Sequence, residues 1–179
     1  MEEKLSTGLI HIYCGDGKGK TTTGMGLCAR AAGAGGRVLI YQFMKDNSTS
    51  ERGVLKLCDR ITFVDGLSQE KFSFRMTPEE KKERKKFYEE QFRRVTRQAC
   101  EEQFDVLFLD EVIYTIRAGL LDETLLLDFL KSKPEKLEVI LTGQDPSPAL
   151  IETADYVSEI RKRKHPFDRG LPARKGIER

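Results

Sequence analysis

Short apolar runs alternate along the chain with longer amphipathic or polar stretches. Residues 9–13, 37–43, 104–109 and 137–142 are each almost uninterrupted in Ile, Leu, Val and aromatic side chains, and each is bounded by glycine or polar residues. A strand with one wet face would alternate, so these runs predict strands covered on both faces, as in a parallel sheet. The β-branched and aromatic content of residues 61–64 predicts another short strand, and residues 156–160 predict a sixth. Between strands, residues 20–32 carry the small and helix-favouring side chains of a helix packed close to a sheet, and Gly33, Gly35 and Gly36 end it. Thr77-Pro78-Glu79-Glu80 offers a capping hydroxyl, a proline for the first helical position and acids for the first turn, so it opens a long helix. Tyr88, Phe92, Val95 and Ala99 form its buried stripe, and the many Lys, Arg and Glu residues between them its solvated face. Residues 120–131 predict a further helix, whereas residues 45–60 are polar and interrupted.

The first strand runs into Gly15-Asp16-Gly17-Lys18-Gly19-Lys20-Thr21-Thr22, ahead of a helix, which is the context a phosphate-binding loop requires. Glycines let backbone N–H groups curl around phosphate oxygens, and the helix N-terminus adds its positive end. Lys20 neutralises phosphate charge and Thr21 offers a hydroxyl to magnesium or manganese. The usual pattern places its first glycine at the position of Cys14, so here that glycine comes one residue late. Asp110-Glu111, at the end of the apolar run 104–109, is where a metal-binding carboxylate is expected, either acid being eligible. The expected fold is therefore α/β, a P-loop (RecA-like) doubly wound, mostly parallel sheet with helices on both faces. One domain is expected over residues 1–179, with an irregular tail from about residue 165 that can fold over a neighbouring site.

Composition narrows the partners. Lys and Arg total 31 against 29 for Asp and Glu, a net charge of +2 that gives no reason to expect nucleic acid or a membrane as main partner. Cys14, Cys28, Cys58 and Cys100 show no zinc or dithiol spacing and read as reduced structural residues. Nothing near the N-terminus resembles a signal peptide and no apolar stretch is long enough to span a bilayer, so a cytoplasmic protein is expected. His11, inside the first strand, reads as a packed residue, whereas His165 is the better candidate for a site. The basic run Arg161-Lys162-Arg163-Lys164 reads as solvated surface from which one member, such as Lys164, is available to an anionic ligand.

Several blocks resemble the ATP:corrinoid adenosyltransferase family: residues 8–22 around the loop, 37–43, Leu107-Phe-Leu-Asp-Glu111, Leu141-Thr-Gly143, residues 154–159, Lys164-His-Pro-Phe167 and Ala173-Arg-Lys-Gly-Ile-Glu178. The resemblance implies transfer of the 5′-deoxyadenosyl group of ATP to the cobalt(I) of a corrinoid such as cobalamin, with release of triphosphate. It also implies a homodimer and a flavoprotein reductant. The family's Phe-Thr-Trp element, which assists reduction of cobalt(II), has its nearest counterpart in Phe72-Ser73-Phe74; as residue types, these two phenylalanines suit one face of a strand or a loop anchor equally well. Where the family has Thr-Gly-Arg this chain has Thr142-Gly143-Gln144, so a phosphate-facing charge is missing, and Arg52 and Arg161 are the candidate replacements. The competing readings are a P-loop kinase or ATPase and a non-catalytic nucleotide- or corrinoid-binding protein.

Overall fold

The computed structural model describes residues 7–69 and 73–178. Six strands, β1 (Ile10–Cys14), β2 (Val38–Gln42), β3 (Ile61–Val64), β4 (Val106–Asp110), β5 (Glu138–Thr142) and β6 (Tyr156–Glu159), form one sheet. Their order is β3-β2-β4-β5-β1-β6, and each neighbouring pair is parallel. The doubly wound fold expected from the sequence is present, and β5 separates β4 from β1. Among the described residues six α-helices join the strands: α1 (Lys20–Gly33), α2 (Ser50–Leu55), α3 (Pro78–Glu101), α4 (Val112–Arg117), α5 (Glu123–Ser132) and α6 (Pro148–Thr153).

The strand side chains divide between two apolar layers with the two-residue period of a pleated sheet. Val38, Ile40, Val106, Phe108 and Ile140 face α1, meeting Met25, Cys28 and Ala32. Leu39, Tyr41, Leu107, Leu109, Val139 and Leu141 face the other layer, where Tyr88, Phe92, Val95 and Ala99 of α3 pack with Leu126 and Leu130 of α5. The centres of β2, β4 and β5 are thus buried on both faces, which is why they read as continuous apolar runs.

α1 approaches the sheet at Gly24, where an added Cβ would lie 2.4 Å from the Phe108 ring. α3 begins with a capping box: the Glu80 N–H donates to Thr77 Oγ1 at 3.2 Å and the Thr77 N–H donates to Glu80 Oε2 at 2.7 Å. The segment 45–60, read as polar and interrupted, contains the six-residue α2, and α4 and α6 also went unforeseen. The helix expected at 120–131 is Glu123–Ser132, because the Asp122 carboxylate accepts from the Thr124 N–H and sets its start.

Candidate functional site

The C-terminal ends of β1, β4, β2 and β5 converge on one edge of the sheet, where an open α/β sheet binds its ligands. Three of the four non-glycine residues with positive φ among the described residues come directly after these strands or within three residues of them: Met44 (55°), Glu111 (60°) and Asp145 (52°). Conformations of that kind cost energy and concentrate where a site must be held.

The loop between β1 and α1 is held chiefly by the segment that follows β6. Gly15 (φ 106°) and Gly19 (φ 120°) take conformations other residues avoid. Gly15 and Gly17 also lie directly under Ile160, whose carbonyl an added Cβ would meet at 2.4 and 2.7 Å. The Gly17 N–H donates to that carbonyl at 2.8 Å, and the Lys162 N–H donates to Asp16 Oδ1 at 2.8 Å. The segment after β6 therefore clamps the loop. No side chain caps the start of α1, which leaves its first N–H groups to an anion. Lys20 folds back so that its Nζ donates to the Gly17 carbonyl at 2.8 Å. Thr22 is exposed in the first turn of α1, and Lys18 is exposed on the loop.

Asp110, fully buried at the end of β4, is the hub. Its Oδ1 accepts from Thr21 Oγ1 at 2.9 Å and from Thr142 Oγ1 at 2.7 Å. Its Oδ2 accepts from Gln42 Nε2 at 3.0 Å and from Lys45 Nζ at 2.6 Å, and the same Nζ donates to Thr21 Oγ1 at 2.8 Å. Glu111 stands beside it with a left-handed backbone, its N–H held by Thr142 Oγ1 at 2.8 Å. Burial, then the charge of Asp110, push the Glu111 carboxyl above the usual carboxylate range, and Lys45 and Lys20 pull against that. Hard oxygens from Thr21, Asp110 and Glu111 suit magnesium or manganese. A positive charge is already accommodated among them, namely the Lys45 ammonium, so the donor set fits a cation. Among the described residues no cluster of three or more His, Cys, Asp or Glu side chains forms a metal site, so phosphate oxygens or water would complete the coordination.

The tail places His165, Pro166 and Phe167, with Leu171, Pro172, Ala173 and Glu178, opposite Asp16, Gly17, Lys18 and Lys20 around a pocket of about 330 Å³. His165 Nδ1 accepts from the Phe167 N–H at 3.1 Å and so starts a short turn. The Glu178 carboxyl is drawn down to about 2, chiefly by the Arg174 guanidinium that binds it. On the other side of the loop, Gln144 shares a pocket of about 340 Å³ with Gly15, Asp16, Glu159 and Arg161. Of the two arginines considered as replacements for a charge at Gln144, only Arg161 is beside it. Arg52 is buried, ion-paired to Asp65 and stacked on Phe63 at 4.7 Å.

Lys164 is exposed and lines neither pocket. Phe74 lies in a short 3-10 turn (Ser73–Arg75), 74% exposed, with the Arg75 guanidinium 5.7 Å from its ring centre. Phe72 lies outside the described residues. His11 pairs with Glu138 and stacks on Tyr156 at 4.6 Å, the structural role its position suggested. Lys45 and Gln42 escaped notice in the sequence. The only signal was that β2 ends in a polar pair around Phe43-Met44, beside the strand that ends in Asp110.

Comparison with known proteins agrees with the geometry. The family model described as ATP:corrinoid adenosyltransferase BtuR/CobO/CobP matches residues 6–179. A corrinoid adenosyltransferase from Sinorhizobium sp is 30% identical over 178 residues, covering 96% of this chain and 80% of the relative. Those of Escherichia coli K12 and Salmonella typhimurium LT2 are also 30% identical, over 174 and 184 residues, each covering 96% of this chain and 85% of the relative. Among solved structures, the EssC ATPase 2 and 3 segment from Geobacillus thermodenitrificans superposes with a TM-score of 0.52 at 17% identity. It covers 97% of this chain, which spans 36% of that protein, and the likeness concerns the fold alone. With a family match that runs through the phosphate loop, the Asp110-Glu111 strand end and the tail, the chain belongs to the ATP:corrinoid adenosyltransferase family.

Proposed function

We propose that this protein transfers the 5′-deoxyadenosyl group of ATP to the cobalt(I) of a corrinoid, releasing triphosphate. The observation that carries this reading is the phosphate cradle at the end of β1, with Lys20 over it and the Thr21–Asp110 hydrogen bond of 2.9 Å beside it, in a chain matched by the family over residues 6–179. The bond that breaks is C5′–O of ATP, and the one that forms is C5′–Co. The nucleophile is the reduced substrate metal, so the protein need supply no general base. Its task is to hold the triphosphate still and to accept the charge that develops on it as it leaves.

Each loop residue has a place in that task. Gly15, Asp16, Gly17, Lys18 and Gly19 form the cradle; the Gly17 N–H is held by the Ile160 carbonyl, and the other amides of the loop are the ones proposed to bind phosphate oxygens. On binding, the Lys20 ammonium exchanges the Gly17 carbonyl for phosphate. Thr21, Asp110 and Glu111 would hold magnesium or manganese, which neutralises triphosphate charge when bound. Gln144 and Arg161 flank the loop on one side, and His165 with the following tail closes the other. Phe72 and Phe74 are assigned to the corrinoid's lower face on the family resemblance. That resemblance also supports a homodimer and a flavoprotein reductant. A cytoplasmic location is the reading of the sequence alone; among the described residues no helix is long and apolar enough to cross a membrane.

An anaerobic assay with ATP, magnesium and chemically reduced cob(I)alamin tests the proposal. The expected result is a light-sensitive alkylcobalt spectrum with triphosphate as the phosphate product, and Lys20→Ala should lower the rate by about 100-fold or more. ADP or orthophosphate without an alkylcobalt product would overturn it in favour of an ATPase or kinase.

A further inference from the structure

The Asp110 carboxylate is saturated. An ionised carboxylate offers about four acceptor positions, and Thr21, Thr142, Gln42 and Lys45 each donate to one, at 2.9, 2.7, 3.0 and 2.6 Å. A divalent ion bound through Asp110 and Thr21 must therefore displace a donor. Three of the four are fixed. Thr21 is held in the first turn of α1 and would itself be a ligand. Thr142 is fully buried and also holds the Glu111 N–H. Gln42 is 3% exposed, and its Oε1 accepts from Thr49 Oγ1 at 2.8 Å. Lys45 differs in each respect: its side chain is 24% exposed, it swings on a flexible four-carbon stem, and it carries the same sign of charge as the incoming ion. Its Nζ contacts both Asp110 Oδ2 and Thr21 Oγ1, the two side chains assigned to the metal, so ammonium and metal ion compete for the same oxygens.

From this geometry we propose that Lys45 is an exchangeable internal cation. It neutralises Asp110 while no divalent ion is bound and withdraws when metal and triphosphate arrive together. A buried carboxylate without a counter-charge is costly, so the resting site is kept intact by its own lysine. The displaced ammonium then needs an anion, and the triphosphate supplies one. Bare metal therefore binds poorly and metal with nucleotide binds well. By linkage each ligand strengthens the other, and Lys45 is the element through which they are coupled. This inference rests on the metal assignment made under Proposed function.

The test uses the full chain with Mn²⁺ as the probe, its free concentration read by electron paramagnetic resonance without nucleotide, and with ATP against a protein-free sample at the same ATP concentration, with no corrinoid present. In the wild type, Mn²⁺ alone should bind weakly and ATP should strengthen its binding. Lys45→Met removes the ammonium and keeps most of the side-chain volume. It should bind Mn²⁺ alone more tightly, on the order of tenfold, because a like charge beside the ion is gone. The enhancement by ATP should shrink by a similar factor. Lys45→Gln, which keeps a hydrogen-bond donor without charge, should behave as Lys45→Met and serves if the latter fails to fold. Lys45→Arg should retain the wild-type suppression. Equal affinity for Mn²⁺ alone in wild type and the neutral variants, with ATP-dependent binding intact in all, would overturn the role of Lys45 and leave the metal assignment standing. No Mn²⁺ binding to the wild type even with ATP would overturn both.

Discussion

Gly24 and Gly26 are two residues apart in the middle of α1, yet alanine should stabilise the protein only at the second. The helix propensity gain is common to both, about 1 kcal/mol for Gly to Ala. At Gly26 an added Cβ meets nothing within 4 Å, so that gain should appear whole. At Gly24 the same Cβ would lie 2.4 Å from Phe108 Cζ and 2.8 and 2.9 Å from the two Cε atoms. Carbon–carbon contacts settle near 3.5–4.0 Å, so the ring must retreat by roughly 1 Å. Phe108 is fully buried in the layer that holds Met25, Cys28 and Ile140, and has little room to move. Overfilling such a core costs about 1–3 kcal/mol. Gly26→Ala should therefore stabilise the protein by about 1 kcal/mol, raising Tm by about 2–4 °C in a domain of this size. Gly24→Ala should range from neutral to destabilising by about 2 kcal/mol. The difference between the two variants, in which propensity cancels, should be about 1–3 kcal/mol. Urea denaturation followed by circular dichroism at one temperature measures it. Equal stabilisation by both substitutions would refute the claim that contact with Phe108 sets the distance of α1 from the sheet. A Gly24→Ala/Phe108→Leu pair less destabilised than the sum of its single changes would identify the ring as the obstacle.

The remaining predictions concern other parts of the frame. Burial raises the Glu138 carboxyl, but hydrogen bonds from His11 and from the Leu9 N–H at 2.6 Å outweigh it and hold this group below its ordinary value. Its contribution to stability is thus present above the unfolded-state value of about 4.3 and is lost as pH falls through the lower folded value. Glu138→Gln should flatten the acid limb of urea midpoints measured between about pH 3 and 5, and an unchanged limb would contradict this. Thr77→Ala, at the exposed start of α3, should cost about 1 kcal/mol by the same denaturation assay without altering adenosyl transfer, and no loss would mean the capping box contributes nothing.

Much of the sheet was legible because its strands are buried on both faces. A run such as Val38-Leu-Ile-Tyr cannot alternate when helices cover both sides, and residues 61–64 were read with the bounds they have in the fold. Helices α2, α4 and α6 were not legible, since one turn and a half leaves no period to detect. The phosphate loop carried its own pattern, and the strand-end acids followed from it. Lys45 had none: its role depends on β2 lying beside β4, with Gln42 opposite Asp110, a pairing of residues far apart in sequence. The neighbours of Gln144 were similarly hidden. Arg52 and Arg161 look alike as isolated cations, and only the return of β6 beside β1 sets one next to the loop and leaves the other in a structural pair.

The clamp on the phosphate loop also bears on how the protein comes to be made. Ile160 and Lys162 hold Gly17 and Asp16 across more than 140 positions of sequence, and the strand that delivers them is the last of the sheet pairing with the first. On a ribosome the loop therefore emerges well over a hundred residues before its clamp. A nascent chain can assemble β1 to β5 and bury most of both apolar layers while its nucleotide cradle still lacks one wall. Capacity to bind ATP should thus be acquired only once the chain has been made past β6, when that strand docks and the segment after it turns back over Lys18 and Lys20.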